Sequence, residues 1–145
     1  MRVRRARPED EAAVAALMEQ LESTVHSVVA PGLKARFVQM LTLDHHALWV
    51  AEDEGRVVGL VTASLRPTLY HSGPSALIDE LVVDANARGQ GVGRALIEAV
   101  VTWALQRGAS EVEVSTGMDN EAAQAFYQRC GFRVEAVLLE LEVPP

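Results

Sequence analysis

The chain has 145 residues, 49% of them apolar and 23% charged, and its 13 basic and 20 acidic side chains leave a net charge of −7. That length holds one domain with a core of its own, and no apolar run approaches the roughly 20 residues of a membrane helix. The acidic balance argues against nucleic acid as a partner, because phosphate neutralisation needs a clustered basic surface. The single cysteine, Cys130, excludes an internal disulfide and any multi-cysteine metal site. It suits a reducing compartment, and "MRVRRARPEDEAA" leads into no signal-type apolar segment, so the expected setting is the cytoplasm.

Val3–Arg5 forms a short first strand. A helix follows Pro8, a favourable first-turn residue, and carries Ala13, Val14, Leu17, Met18 and Leu21 at helical spacing. A second helix begins at Pro31, with Leu33, Phe37, Met40 and Leu41 on one face; "STVHSVVA" between the two shows no period. The period then becomes two. Ala47–Ala51 and Val57–Leu65 are β-rich runs joined by "EDEGR", where Gly55 can take positive φ, which is a hairpin signal. Beyond the loop "RPTLYHSGPS", Ala76–Val83 is a further apolar strand. Gly91–Gln106 is the clearest helix, with Val92, Ala95, Leu96, Ala99, Val100 and Trp103 along one stripe and Gly108 as its stop. Glu111–Ser115 is a strand, Asp119 or Asn120 caps a helix carrying Phe126 and Tyr127 and ending at Gly131, and Val134–Val143 is a last strand. This order predicts a single-domain α/β fold over residues 1–145, with a mixed sheet and helices on both faces.

The chemistry begins at "DANARGQGVG". Gly89, Gly91 and Gly93 precede or open the long helix, so backbone N–H groups stand uncovered at the positive end of its dipole, and Arg88 and Arg94 bracket them. A phosphate or pyrophosphate suits such a place. The loop lacks the Gly-Lys-Ser/Thr ending of a Walker loop, and G-x-G-x-x-G fails from either start because position 94 is Arg and position 96 is Leu.

Arg88-Gly89-Gln90-Gly91-Val92-Gly93 resembles the R-x-x-G-x-G motif of the GNAT superfamily of N-acetyltransferases, and "NEAAQAFYQRCGF" (Asn120–Phe132) resembles that family's second signature. The element order is similar along the whole chain, least distinctively over the first 45 residues. The resemblance implies a mostly antiparallel sheet of six to seven strands, with a V-shaped splay between two central parallel strands. It implies acetyl-CoA as co-substrate and no metal. The pantetheine would lie along the backbone of Leu81, Val82 and Val83, and the pyrophosphate on Gln90–Arg94. Asn120 would touch the pantetheine or only cap its helix, and Phe126 would stand on the cofactor side or only pack. Tyr127 matches the tyrosine that faces the CoA sulfur as general acid, its other role being a core aromatic. The most similar members are small-amine acetyltransferases, including glucosamine-phosphate N-acetyltransferase, which form dimers whose C-terminal strand crosses between subunits. Val134–Val143 would then cross likewise. No basic constellation commits the acceptor side to a sugar phosphate.

Asp79-Glu80 interrupts an otherwise apolar strand, and carboxylates there are costly without a task or a partner. An amine of pKa near ~10 is about one part in a thousand neutral at pH 7, so its proton needs an acceptor. Family members place an acid at the position of Glu80, which makes Glu80 the candidate base. An ion pair with an arginine is the competing structural role. Strand alternation lets one of the pair reach the site, unless a bulge intervenes. The four histidines lack metal-ligand spacing and are surface or packing residues, with His71 and Tyr70 near the acceptor side. Cys130 could attack acetyl-CoA in a ping-pong scheme, but its place just before Gly131 suits a small packing residue, and the expected route is direct attack by the acceptor, a small-molecule or peptide amine, in a ternary complex. The alternative is a GNAT-like module that binds CoA without catalysis.

Overall fold

The computed structural model describes residues 1–145, in two compact units, Met1–Val114 and Ser115–Pro145. The first unit is a five-stranded sheet in the order β1-β2-β3-β4-β5, with β1 Arg2–Arg5, β2 His46–Asp53, β3 Arg56–Arg66, β4 Ser75–Val83 and β5 Glu111–Val114. β1 to β4 pair antiparallel, and β4 and β5 pair parallel through the connection that holds α3, Val92–Gln106. Helices α1 (Glu11–Val25) and α2 (Leu33–Met40) precede β2.

The core on one sheet face joins Val14 and Leu17 of α1 and Phe37 of α2 to Leu48, Val50, Leu60 and Val82 of the strands. Each of these side chains contributes about 1.5–3 kcal/mol by leaving water. On the opposite face Trp49 of β2 meets Trp103 of α3 edge to face, ring centroids 5.6 Å apart. Gly59 of β3 sets how closely α3 approaches, because a Cβ there would stand 2.9 Å from Val92 Cγ1 and 3.0 Å from Leu96 Cδ1. The hairpin turn has Gly55 at positive φ (79°), as expected, and Glu54 at positive φ as well (50°). The unassigned stretch after Ser23 continues α1 to Val25, where His26 in the left-handed region (φ 55°) ends it.

The second unit contains α4, Glu121–Arg129, capped by the Asn120 side chain, which accepts from the Ala123 N–H at 3.1 Å. Two expectations are corrected here. The sheet has five strands rather than six or seven, because residues 132–145 have no regular secondary structure and Val134–Val143 pairs with nothing as a strand. Consequently β5 is an edge strand, and the parallel pair β4–β5 stands at the side of the sheet instead of its centre. The apolar, β-rich composition of the segment suits a strand, but no strand pairs with it. Val134, Val137, Leu138, Leu139, Leu141 and Val143 stay 70% to 89% exposed.

Candidate acetyl-transfer site

Parallel pairing between β4 and β5 runs from Ser75↔Glu111 to Ile78↔Val114 and stops there. β4 continues through Asp79–Val83 paired only to β3, so within this unit no strand covers its outer edge from Asp79 onward. In an antiparallel ladder alternate residues turn their N–H and C=O away from the partner, which leaves main-chain donors and acceptors along Leu81, Val82 and Val83 on that open side. Leu81 and Val83 are half-buried and Val82 is buried. The parallel pairing thus ends one residue before the acid pair begins, at the last residue of β5.

Past Val83 the chain makes a short 3-10 turn, Ala85–Ala87, started by the Asp84 carboxylate accepting from the Asn86 N–H at 2.8 Å. Arg88 then turns back, its Nε donating to the Val83 carbonyl at 3.3 Å. Gly89 and Gly91 sit at φ 77° and 83°, and nothing lies within 4 Å of where their Cβ atoms would be. Backbone conformation therefore requires glycine there, and the absent side chains leave open space above the amides. Gly91 is the N-cap of α3, no side chain caps it, and no acid occupies the first turn. Uncapped N–H groups at a helix start, with Gln90, Val92, Gly93 and Arg94 around them, fit an anionic group such as a pyrophosphate.

The acid pair lies at the fork. The β3–β4 register shifts between Thr62 and Ala63: Thr62 faces Glu80 while Ala63 faces Ile78, so Asp79 is the extra residue of a β-bulge. The Thr62 hydroxyl donates to Glu80 Oε1 at 2.5 Å and accepts from the Glu80 N–H at 3.0 Å. The Ser64 hydroxyl donates to Asp79 Oδ2 at 3.2 Å. Thr62 and Ser64 are two apart on one strand and so share a face, and both carboxylates therefore turn to that face. Simple alternation would have sent one away. The face is that of α1 and α2, since Leu48, paired to Thr62 across β2–β3, belongs to their core.

Within their own unit neither acid forms an ion pair, which removes the arginine-pair role there. Burial is the main cause that raises both carboxyls above the ordinary range, and the neighbouring Asp79 charge raises Glu80 further. The hydroxyl bonds, Arg36 and His46 act against this at Glu80. His46 is a residue that sequence reasoning set aside as surface or packing. It faces Ser64 across β2–β3, its Nδ1 is buried without a partner, and its charge acts on both acids. Thr62 was missed as well; it looked like any β-branched strand residue. His71 is held away in another interaction, its Nε2 3.1 Å from Glu111 Oε1, while Tyr70 is exposed.

In the second unit Asn120 is the cap of α4, and Phe126 and Tyr127 are half-buried neighbours, with ring centroids 5.3 Å apart. Tyr127 also meets Phe132 at 5.6 Å. Burial, and then Cys130, pushes the Tyr127 phenol up to about 12, so it keeps its proton. Cys130 is free and half-buried at the end of α4. The chain has no group of three or more ligand-type side chains that could hold a metal, and no helix long and apolar enough to cross a membrane.

Comparison with known proteins agrees with this architecture. The model of the Acetyltransferase (GNAT) family matches residues 14–132. Aminoglycoside N(6')-acetyltransferase type 1 of Salmonella typhimurium is 30% identical over 97 residues, 65% of this chain and 67% of that protein. The first curated relatives are longer, and the chain spans 37% to 46% of their length. Among solved structures, aminoglycoside N-acetyltransferase AAC(6')-Iy in complex with CoA superposes with a TM-score of 0.81 at 24% identity, over 99% of this chain and 100% of that one. Glucosamine-6-phosphate N-acetyltransferase of Arabidopsis thaliana gives 0.81 at 20% identity, over 99% and 98%. These two likenesses speak to the fold. With its family model covering most of its length, an open-edged β4 and a glycine-led α3, the chain belongs to the GNAT acetyltransferase family.

Proposed function

We propose that this chain transfers an acetyl group from acetyl-CoA to the amine of a small molecule or peptide. The observation that carries the reading is the fork itself. β4 loses its parallel neighbour at Ile78, two raised carboxyls stand at that point, and the open edge runs straight into the uncapped start of α3. Leu81–Val83 would hold the pantetheine by main-chain bonds, and Arg88–Arg94 the pyrophosphate. Glu80 takes the proton of the acceptor ammonium, and Tyr127, whose phenol is protonated, gives one to the departing sulfur. In the second unit, the family resemblance assigns Asn120 and Phe126 to the cofactor. Two carboxylates that form no ion pair within their own unit favour a cationic acceptor over a neutral one. Relatives and structural neighbours named for aminoglycoside acetylation make amino sugars of that kind the first acceptors to try.

The working form we infer is a cytoplasmic homodimer. The lone free cysteine supports the compartment, and two separate features, the exposed apolar segment Val134–Val143 and the unpaired edge of β5, support the assembly.

Calorimetry with CoA, NAD and FMN tests the ligand, and thiol release from acetyl-CoA against aminoglycosides, polyamines, amino sugars, amino acids and peptides tests the reaction. CoA alone should bind, and at least one amine should accelerate thiol release. Tyr127→Phe should lower kcat by about 10- to 100-fold with little change in the KM for acetyl-CoA. CoA binding with no amine-dependent thiol release would leave a binding module, and failure to bind CoA would remove both readings.

A further inference from the structure

We propose that Thr62 is a positioning residue that selects Glu80, rather than Asp79, as the base and fixes which of its oxygens receives the proton. The inference rests on the reading of Glu80 as base. Thr62 is a buried polar side chain, 3% exposed, on the central part of β3. Its hydroxyl accepts from the Glu80 N–H, which can only donate. The hydroxyl's single proton is therefore free for an acceptor, and the acceptor within reach is Glu80 Oε1 at 2.5 Å. Main chain and carboxylate of one residue are thus gripped by one oxygen atom, and Oε2 is the oxygen left to take up a proton.

Asp79 has no such grip. Ser64, half-buried near the end of β3, gives the exposed Asp79 one bond of 3.2 Å, and nothing ties its backbone to the same hydroxyl. The bulge brings both acids to one face, and Thr62 is what distinguishes them. A base held at one angle by two bonds makes the proton transfer with less reorganisation than one free to rotate. The other groups acting on Glu80 are Asp79 of β4, His46 of β2 and Arg36 of α2, all charge effects that leave its orientation alone.

The test compares Thr62→Val, Thr62→Ser and Glu80→Gln in steady-state assays from acid to alkaline pH with the best amine of the panel. Thr62→Val should reduce kcat by roughly tenfold or more. It should also move the acidic limb of kcat/KM for the amine to higher pH, because the lost hydroxyl bond is one that lowers the Glu80 carboxyl. The KM for acetyl-CoA should stay unchanged, and Thr62→Ser should restore both kcat and the limb. Should the valine variant not fold, Thr62→Cys, of similar volume but a poor donor, gives the same readout. Unchanged kcat and pH profile in Thr62→Val or Thr62→Cys, alongside an inactive Glu80→Gln, would overturn the positioning role alone. An active Glu80→Gln would overturn the base assignment and this inference with it.

Discussion

Glu80 owes its chemistry to an unfavourable position. Burial and the adjacent Asp79 raise its carboxyl above the ordinary range, so the folded protein holds that proton more tightly than the unfolded chain does. The stability tied to the protonated acid is complete below the unfolded-state pKa and is lost as pH rises through the higher folded-state value. At pH 7 the ionised acid therefore costs stability that glutamine would not. Glu80→Gln is expected to melt a few degrees higher than the parent at pH 7, with the difference shrinking toward pH 4, in thermal melts followed by circular dichroism. A melting point lowered at pH 7 would contradict the sign of the shift. The acid pair was visible in the sequence as two carboxylates inside an apolar run. Its arrangement was not, because the bulge that turns both acids to one face depends on how β4 is counted against β3, and no residue of β4 alone records that count. Thr62 and His46 were hidden for a related reason: each acts across a strand pair, and neither belongs to a local pattern.

At the scale of elements, legibility followed the strength of the local period. The α3 stripe and its glycine start are written within one stretch of chain, and the helix observed, Val92–Gln106, differs by one residue from the one expected. β2, β3 and β4 extend their predicted runs by one or two residues at their ends, where hairpin partners continue the pairing. The last strand shows the opposite case. Its apolar, β-rich residues describe a surface that wants covering, whereas a strand also requires an edge to pair with, and composition does not name one. The junction of β4 with α3 gives a prediction of its own. Gly91 holds φ 83° with free space around it, so Gly91→Ala meets backbone strain of about 1 kcal/mol without a clash. CoA affinity should fall by several-fold in calorimetry while the KM for the amine moves little. Equal losses for both substrates would mean that the change disturbs the whole fork.

For the whole molecule the open matter is surface. Apolar side chains from Val134 to Val143 stand in solvent, and β5 offers a strand edge with no neighbour. A soluble monomer seldom leaves that much contiguous apolar surface uncovered. The full chain should sediment as a dimer, and a chain ending at Arg133 should sediment as a monomer with lower stability. Two monomers of equal stability would show that the segment has no partner in solution.

Gly59 has no side chain to offer a ligand, yet it governs the height at which α3 begins above the sheet. It pairs with Val83, the last residue of β4, from which the chain departs toward the glycine turn. One methyl group added at that spot would act as a shim beneath Val92 and Leu96, tilting the helix start away from the strand that feeds it. Binding of a long ligand that bridges strand and helix would then suffer at the joint between its two halves, through an atom the ligand never meets.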